Sequence, residues 1–138
     1  MELKANYQEL GSYIQGRFGQ PVSFSLAEGG VFRVTYTKHV LFKDLKINVS
    51  IAFEEVKGDT VVVRYDAPFG LDAVVGGVLS FLSSQLPELA AGIHPENGHR
   101  IRIVLSEIEK AKAVADNVAL RSITPQADGL RIEFGLKA

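Results

Sequence analysis

The chain has 138 residues, a formal net charge of -1 and no cysteine. This length fits one domain over residues 1–138, and the missing cysteines exclude disulfides, thiolate metal sites and a cysteine nucleophile. A nucleic-acid partner is also disfavoured, because phosphate binding needs a concentrated positive surface and no basic run is present. The sequence predicts no cofactor and no metal.

The first segment has the pattern of an amphipathic helix. Leu3, Tyr7, Leu10, Ile14 and Phe18 recur at helical steps, and Gly19 before Pro21 supplies a stop. The start of the chain lacks the basic residues and apolar block of a secretory signal, which favours a cytoplasmic location.

From residue 22 the apolar period changes to two. Strands are expected at Val22–Leu26 and Val31–Thr37, joined by a turn at Glu28-Gly29-Gly30. Two further strands are expected at Leu45–Phe53 and Thr60–Asp66. The four strands together predict an antiparallel meander.

The stretch Gly70–Ile93 is the most apolar helix candidate. Its uncharged part, Ala73–Pro87, is shorter than the ~18 to 20 apolar residues that cross a bilayer, so the sequence predicts a core helix that does not span a membrane. Pro87 either kinks this helix or lies in the first turn of a second short helix. The apolar stripe consists of Leu71, Val75, Val78, Leu79, Leu82, Leu86 and Leu89.

Two glycines interrupt this helix pattern. Gly76 and Gly77 each cost about 1 kcal/mol relative to alanine inside a helix. Such a cost suggests either close approach of another backbone, which is the commoner reason, or room for a ligand.

The last third begins with a stretch that reads as a polar loop, His94–His99. A fifth strand follows at Ile101–Leu105. Ser106 with Glu109 forms a capping-box pattern for a short helix, and a C-terminal hairpin is expected over 118–123 and 130–136.

No residue set in the sequence specifies a catalytic or metal site. His94, Glu96 and His99 are close in sequence but lack the helical i, i+4 spacing that directs two imidazoles at one metal, so a solvent-exposed loop is the preferred interpretation. No Gly-x-Ser-x-Gly nucleophile motif is present, and neither glycine pair has the strand-loop-helix setting of a phosphate loop. The sequence therefore does not predict an enzyme.

The predicted fold is α+β, with one curved antiparallel sheet wrapped around a long apolar helix and an N-terminal amphipathic helix. This order of elements, together with the tail Val118–Phe134, resembles a single unit of the tubular lipid-binding superfamily, the proteins similar to the bactericidal/permeability-increasing protein. The resemblance implies that an apolar or lipid-like ligand binds between sheet and helix. A different helix-gripping curved sheet would imply the same kind of ligand.

The predicted function is therefore a non-enzymatic binding module for an apolar or lipid-like molecule. The alternative is a structural protein that forms a homo-oligomer through a second face of the helix, formed by Leu79, Phe81 and Leu86, with no small ligand. The candidate ligand-binding residues are Val74, Gly76, Gly77, Val78, Phe81 and Leu82 on the helix and Ile47, Val49, Ile51 and Phe53 on the sheet.

Overall fold

The protein is built mainly from two antiparallel sheets. The computed structural model describes residues 1–18, 22–66, 76, 79–80, 83–84 and 86–137, and at 17, 18, 38–40 and 45 it describes the backbone only. The larger sheet has the strand order β2-β3-β4-β5-β7-β6, and the smaller has the order β1-β9-β8.

Short helices and turns join these strands. The strands are β1 (Glu2–Asn6), β2 (Val22–Leu26), β3 (Phe32–Val40), β4 (Lys43–Lys57), β5 (Thr60–Asp66), β6 (Ile93–Glu96), β7 (Arg100–Val104), β8 (Val118–Pro125) and β9 (Gly129–Leu136). The helices are α1 (Tyr7–Phe18), α2 (Pro87–Ala90) and α3 (Glu109–Asn117), with 3-10 turns at Glu28–Gly30 and Leu105–Glu107.

The predicted four-strand meander is confirmed in the larger sheet. β2 to β5 pair in sequence order with antiparallel register, and the fifth strand, β7, pairs with β5. Alternation along the strands gives this sheet one apolar face and one polar face. On the polar face, the Glu54 carboxylate forms ion pairs with the Nε atoms of Arg64 (3.4 Å) and Arg100 (2.8 Å). A bulge between Phe53 and Glu55 shifts the register of β4 against β5.

The prediction of a single curved sheet is wrong. The C-terminal hairpin exists, but β9 pairs with β1 to form a separate sheet, in which Leu3 lies opposite Ile132. The two sheets meet where Gly58 and Leu120 exchange backbone hydrogen bonds of 3.1 and 2.8 Å.

The N-terminal helix begins later than predicted. Leu3 lies in β1, and the helix starts at Tyr7, where the Asn6 side-chain oxygen accepts the amide hydrogens of Gln8 (2.9 Å) and Glu9 (3.2 Å). Asparagine at this position satisfies amides that the helix itself leaves unpaired. Pairing with β9 fixes Glu2–Asn6 as a strand ahead of this helix.

A long apolar helix over Gly70–Ile93 is contradicted by the structure. Leu86 has non-helical angles (φ -135, ψ 62), Pro87 begins the four-residue helix α2, and Ile93 belongs to β6. Of the two readings of Pro87, the first turn of a separate short helix is therefore correct. Before this break, the described residues with helical backbone are Gly76, Leu79, Ser80, Ser83 and Ser84, and the described helices are 12, 4 and 9 residues long.

Two local predictions in the last third are also wrong. His94 and Glu96 lie in strand β6, because this segment pairs with β7. Ser106 does not cap α3: its hydroxyl hydrogen-bonds the Asp59 carboxylate, and α3 begins after Ile108 without a side-chain cap.

The described core is formed by apolar side chains of the larger sheet and of the helical segments packed against it. Its centre on the larger sheet is Phe32, which is 6% exposed. None of the described side chains is fully buried. The buried apolar residues are Tyr7, Phe32, Val61, Val63, Val104, Ile108 and Ala115.

Candidate functional site

The four predicted ligand residues of the sheet share one face of β4. Ile47, Val49, Ile51 and Phe53 alternate with polar neighbours, so all four project to the apolar side of the larger sheet. All four are half-buried. On the neighbouring strand the positions opposite the first three are also apolar or aromatic, namely Tyr36, Val34 and Phe32. The face is therefore continuous across β3 and β4, and the structure leaves part of it accessible.

The neighbour on the other side divides these four residues into two pairs. Ile51 lies opposite Tyr65 and Phe53 lies opposite Val63, both on β5. The last β5 residue, Asp66, lies opposite Ser50. Within the described ranges, Ile47 and Val49 therefore have a strand neighbour only on the β3 side, in the part of the sheet made by β2, β3 and β4.

An aromatic cluster closes the other end of this face. The Phe32 ring lies 5.6 Å from the Tyr7 ring, 5.5 Å from Phe24 and 6.1 Å from Phe53, measured between centroids. Such spacings are typical of favourable aromatic pairs. Tyr7 thereby anchors the start of α1 on the sheet, and burial raises the pKa of its hydroxyl.

The helix-side candidates contribute little to the described structure. Gly77, Val78, Phe81 and Leu82, like Val74, fall outside the described residues. Gly76 is helical and exposed, and a methyl group placed on it would meet no atom of the described residues within 4 Å. Close approach of a described backbone is therefore not the reason for this glycine.

A cleft of about 450 Å³ lies beside the aromatic cluster, between α1, β2 and the β8–β9 turn. Its volume falls within the range of small-molecule sites. Sequence reasoning missed it because the lining comes from three segments that only the tertiary fold brings together. Lys4 lies 2.7 Å from Asp128 at its edge and lowers the pKa of that carboxyl. The lining residues are Asn6, Tyr7, Gln8, Gly11, Ser12, Gln15, Val22, Ser23, Phe24, Ala127 and Asp128.

His94, Glu96 and His99 do not converge on one site. His94 contacts Glu107 at 2.5 Å, Glu96 contacts Arg102 at 3.6 Å, and the His99 ring stacks on Tyr65 with centroids 5.3 Å apart. Across the described ranges, no group of three His, Cys, Asp or Glu side chains is placed to hold a metal ion.

A second polar cluster links the β4–β5 turn to the 3-10 turn before α3. Asp59 accepts hydrogen bonds from the hydroxyls of Ser106 and of Thr60, the latter at 3.1 Å. The Ser106 hydrogen bond lowers the pKa of the Asp59 carboxyl. A carboxylate with a lowered pKa is a weak general base, so this arrangement suits a structural link better than activation of a serine nucleophile.

None of the helices that the structure describes is both long enough and apolar enough to cross a membrane. Comparison of the chain with protein-family models, with curated proteins and with solved structures gives no match. The resemblance to the tubular lipid-binding superfamily therefore stays a prediction.

Proposed function

We propose that the protein is a non-enzymatic binding protein whose ligand is an apolar or lipid-like molecule lying on the apolar face of the larger sheet. The observation that supports this is the row Ile47, Val49, Ile51 and Phe53, which is half-buried despite apolar neighbours in register. Removing apolar surface from water contributes about 25 cal/mol per Å². A ligand that covers the rest of this face would gain binding free energy from the apolar surface that it removes from water. The cytoplasmic location stays a prediction.

Native mass spectrometry of gently purified protein tests for a bound lipid. Titration with a fluorescent fatty acid then measures binding after delipidation. We expect saturable binding that Val49→Lys weakens by about tenfold or more, because the substitution places a charge on the apolar face. Asn48→Lys adds the same charge to the opposite face of the same strand and serves as the control. Thermal unfolding of both variants establishes that they remain folded.

Two results would contradict this proposal. One is protein that carries no lipid and shows no saturable binding of the fatty acid. The other is a dimer, detected by light scattering, that Val49→Lys converts to a monomer, because a second copy of the chain would then cover the face. That result would favour self-association through the sheet face instead. Of the helix face predicted for self-association, Leu79 and Leu86 are half-buried and Phe81 lies outside the described residues.

A further inference from the structure

The turn between β3 and β4 is made by two large apolar residues. Leu41 is 94% exposed and Phe42 is 102% exposed. Leu41 also has a positive φ of 50°. Two-residue hairpin turns favour asparagine, aspartate or glycine, because those residues tolerate such angles. Neither the turn geometry nor core packing therefore explains a Leu-Phe pair at this position.

The turn lies at the end of a β3–β4 ribbon that extends beyond the described ends of β2 and β5. Opposite β4, the described part of β5 ends at Asp66, which pairs with Ser50. Seven residues of β4, 43–49, lie between that pair and the turn. At a rise of about 3.3 Å per residue, they carry the turn roughly 20 Å past the described end of β5. On the other side, β2 pairs with β3 as far as Val22 opposite Tyr36, so the turn lies about 13 Å past the described end of β2. Among the described strands, the apolar pair is therefore at the far end of the sheet.

The residues next to the apolar pair in the sequence carry a net positive charge. The segment 37–49 contains the lysines Lys38, Lys43 and Lys46 and a single acid, Asp44, although the whole chain has a net charge of -1. The side chains of Lys43 and Lys46 are exposed. Cationic side chains beside an exposed apolar wedge complement a surface that is negatively charged outside and apolar beneath.

We propose that the β3–β4 turn is a membrane-contact site, at which Leu41 and Phe42 insert into an anionic phospholipid surface and the exposed Lys43 and Lys46 contact the headgroups. Two side chains are too small for a stable protein interface, which buries about 800 Å² on each partner. A lipid surface sets no such minimum, since insertion of apolar side chains and attraction of lysines to anionic headgroups add together. The site does not depend on a ligand bound at the apolar face of the larger sheet.

Tryptophan fluorescence tests this proposal directly. The chain contains no tryptophan, so Phe42→Trp introduces a single reporter at the turn. We expect its emission to shift to the blue with vesicles of phosphatidylcholine containing about one-third phosphatidylglycerol, and brominated lipid to quench it. Vesicles of phosphatidylcholine alone should give a weaker change. Val114→Trp is the matched control, because Val114 is an exposed apolar residue on α3, at 62%.

Vesicle cosedimentation of the original chain and its variants separates the two contributions. Phe42→Asp should lower the partition coefficient by about tenfold or more, and Val114→Asp should leave it unchanged. Lys43→Ala should lower it by about fivefold and Lys112→Ala should not. Added salt should weaken binding of the original chain, because exposed charges are screened.

Several outcomes would overturn the membrane-contact site. These are equal binding by the Phe42→Asp and Val114→Asp variants, an unshifted Phe42→Trp emission, or a dimer that Phe42→Asp dissociates without any vesicle binding. The fatty-acid titration distinguishes this failure from failure of the proposed function. Loss of vesicle binding in Phe42→Asp with unchanged fatty-acid binding would show that the two sites are separate.

Discussion

Two phenylalanines at opposite ends of β3 have opposite environments. Phe32 begins the strand and is 6% exposed, with three aromatic rings around it, whereas Phe42 follows the strand in the turn and is fully exposed. Both are flanked by turn residues and by alternating strand residues in the sequence. The difference arises from what packs above the strand: α1 brings Tyr7 onto Phe32, and nothing described covers Phe42. The β3–β4 pair thus has an enclosed end, which supports stability, and an end that the described residues leave exposed.

The largest expected effect is the difference in stability between variants that truncate one or the other of these two rings. Phe32→Ala should lower the free energy of unfolding by about 3–5 kcal/mol, because it removes a buried aromatic side chain and leaves a cavity. Phe42→Ala should change it by less than about 0.5 kcal/mol, as is usual for an exposed site. Urea unfolding followed by circular dichroism measures both. Similar losses for the two variants would show that the ends are equally packed.

A glycine in β9 tests how closely β1 and β9 pack in the smaller sheet. A methyl group on Gly129 would lie 2.4 Å from the carbonyl oxygen of Ala5, so Gly129→Ala forces β1 and β9 apart. We expect a loss of about 1–3 kcal/mol in the free energy of unfolding. Gly135→Ala in the same strand is the control, because its new methyl group would meet the mobile end of the Arg121 side chain. We expect Gly135→Ala to have the smaller effect on the free energy of unfolding. Equal effects of the two substitutions would indicate that the β1–β9 pairing is loose.

The Asp59–Ser106 hydrogen bond gives the stability of the folded chain a pH dependence. Because the folded-state pKa of Asp59 is lowered, its contribution to stability is present above the unfolded-state value of about 3.9. That contribution is lost as the pH falls through the lower folded-state pKa. Ser106→Ala should lower the free energy of unfolding by about 1 kcal/mol at neutral pH. The variant should also lose less of that free energy than the original chain as the pH falls. Urea unfolding between about pH 2 and 5 measures this, and an unchanged acid profile in Ser106→Ala would contradict it.

The smallest expected effect is a gain in stability. Gly16 is an exposed residue of α1, and a methyl group placed there would meet no atom of the described residues within 4 Å. Gly16→Ala should raise the free energy of unfolding by about 0.5–1 kcal/mol, because alanine has the higher helix propensity. The thermal midpoint should rise accordingly. A decrease would mean that α1 lies closer to its surroundings than the described contacts indicate.

The alternating sequence by itself determined the local strands. The patterns at Val22–Leu26, Thr60–Asp66 and the C-terminal hairpin were sufficient, since period-two alternation and turn residues act between near neighbours. The same alternation identified the shared face of Ile47 and Val49 on β4.

Only the tertiary structure decided which strands share a sheet and where the long segments break. Pairing with β9 made the first residues a strand, pairing with β7 did the same for His94, and the break at Leu86 separated α2 from the preceding helical residues. In the same way, the sequence shows Leu41 and Phe42 only as two apolar residues between the second and third predicted strands. Their exposure depends on whether distant elements reach the end of the ribbon, and that distance is not encoded in local periodicity.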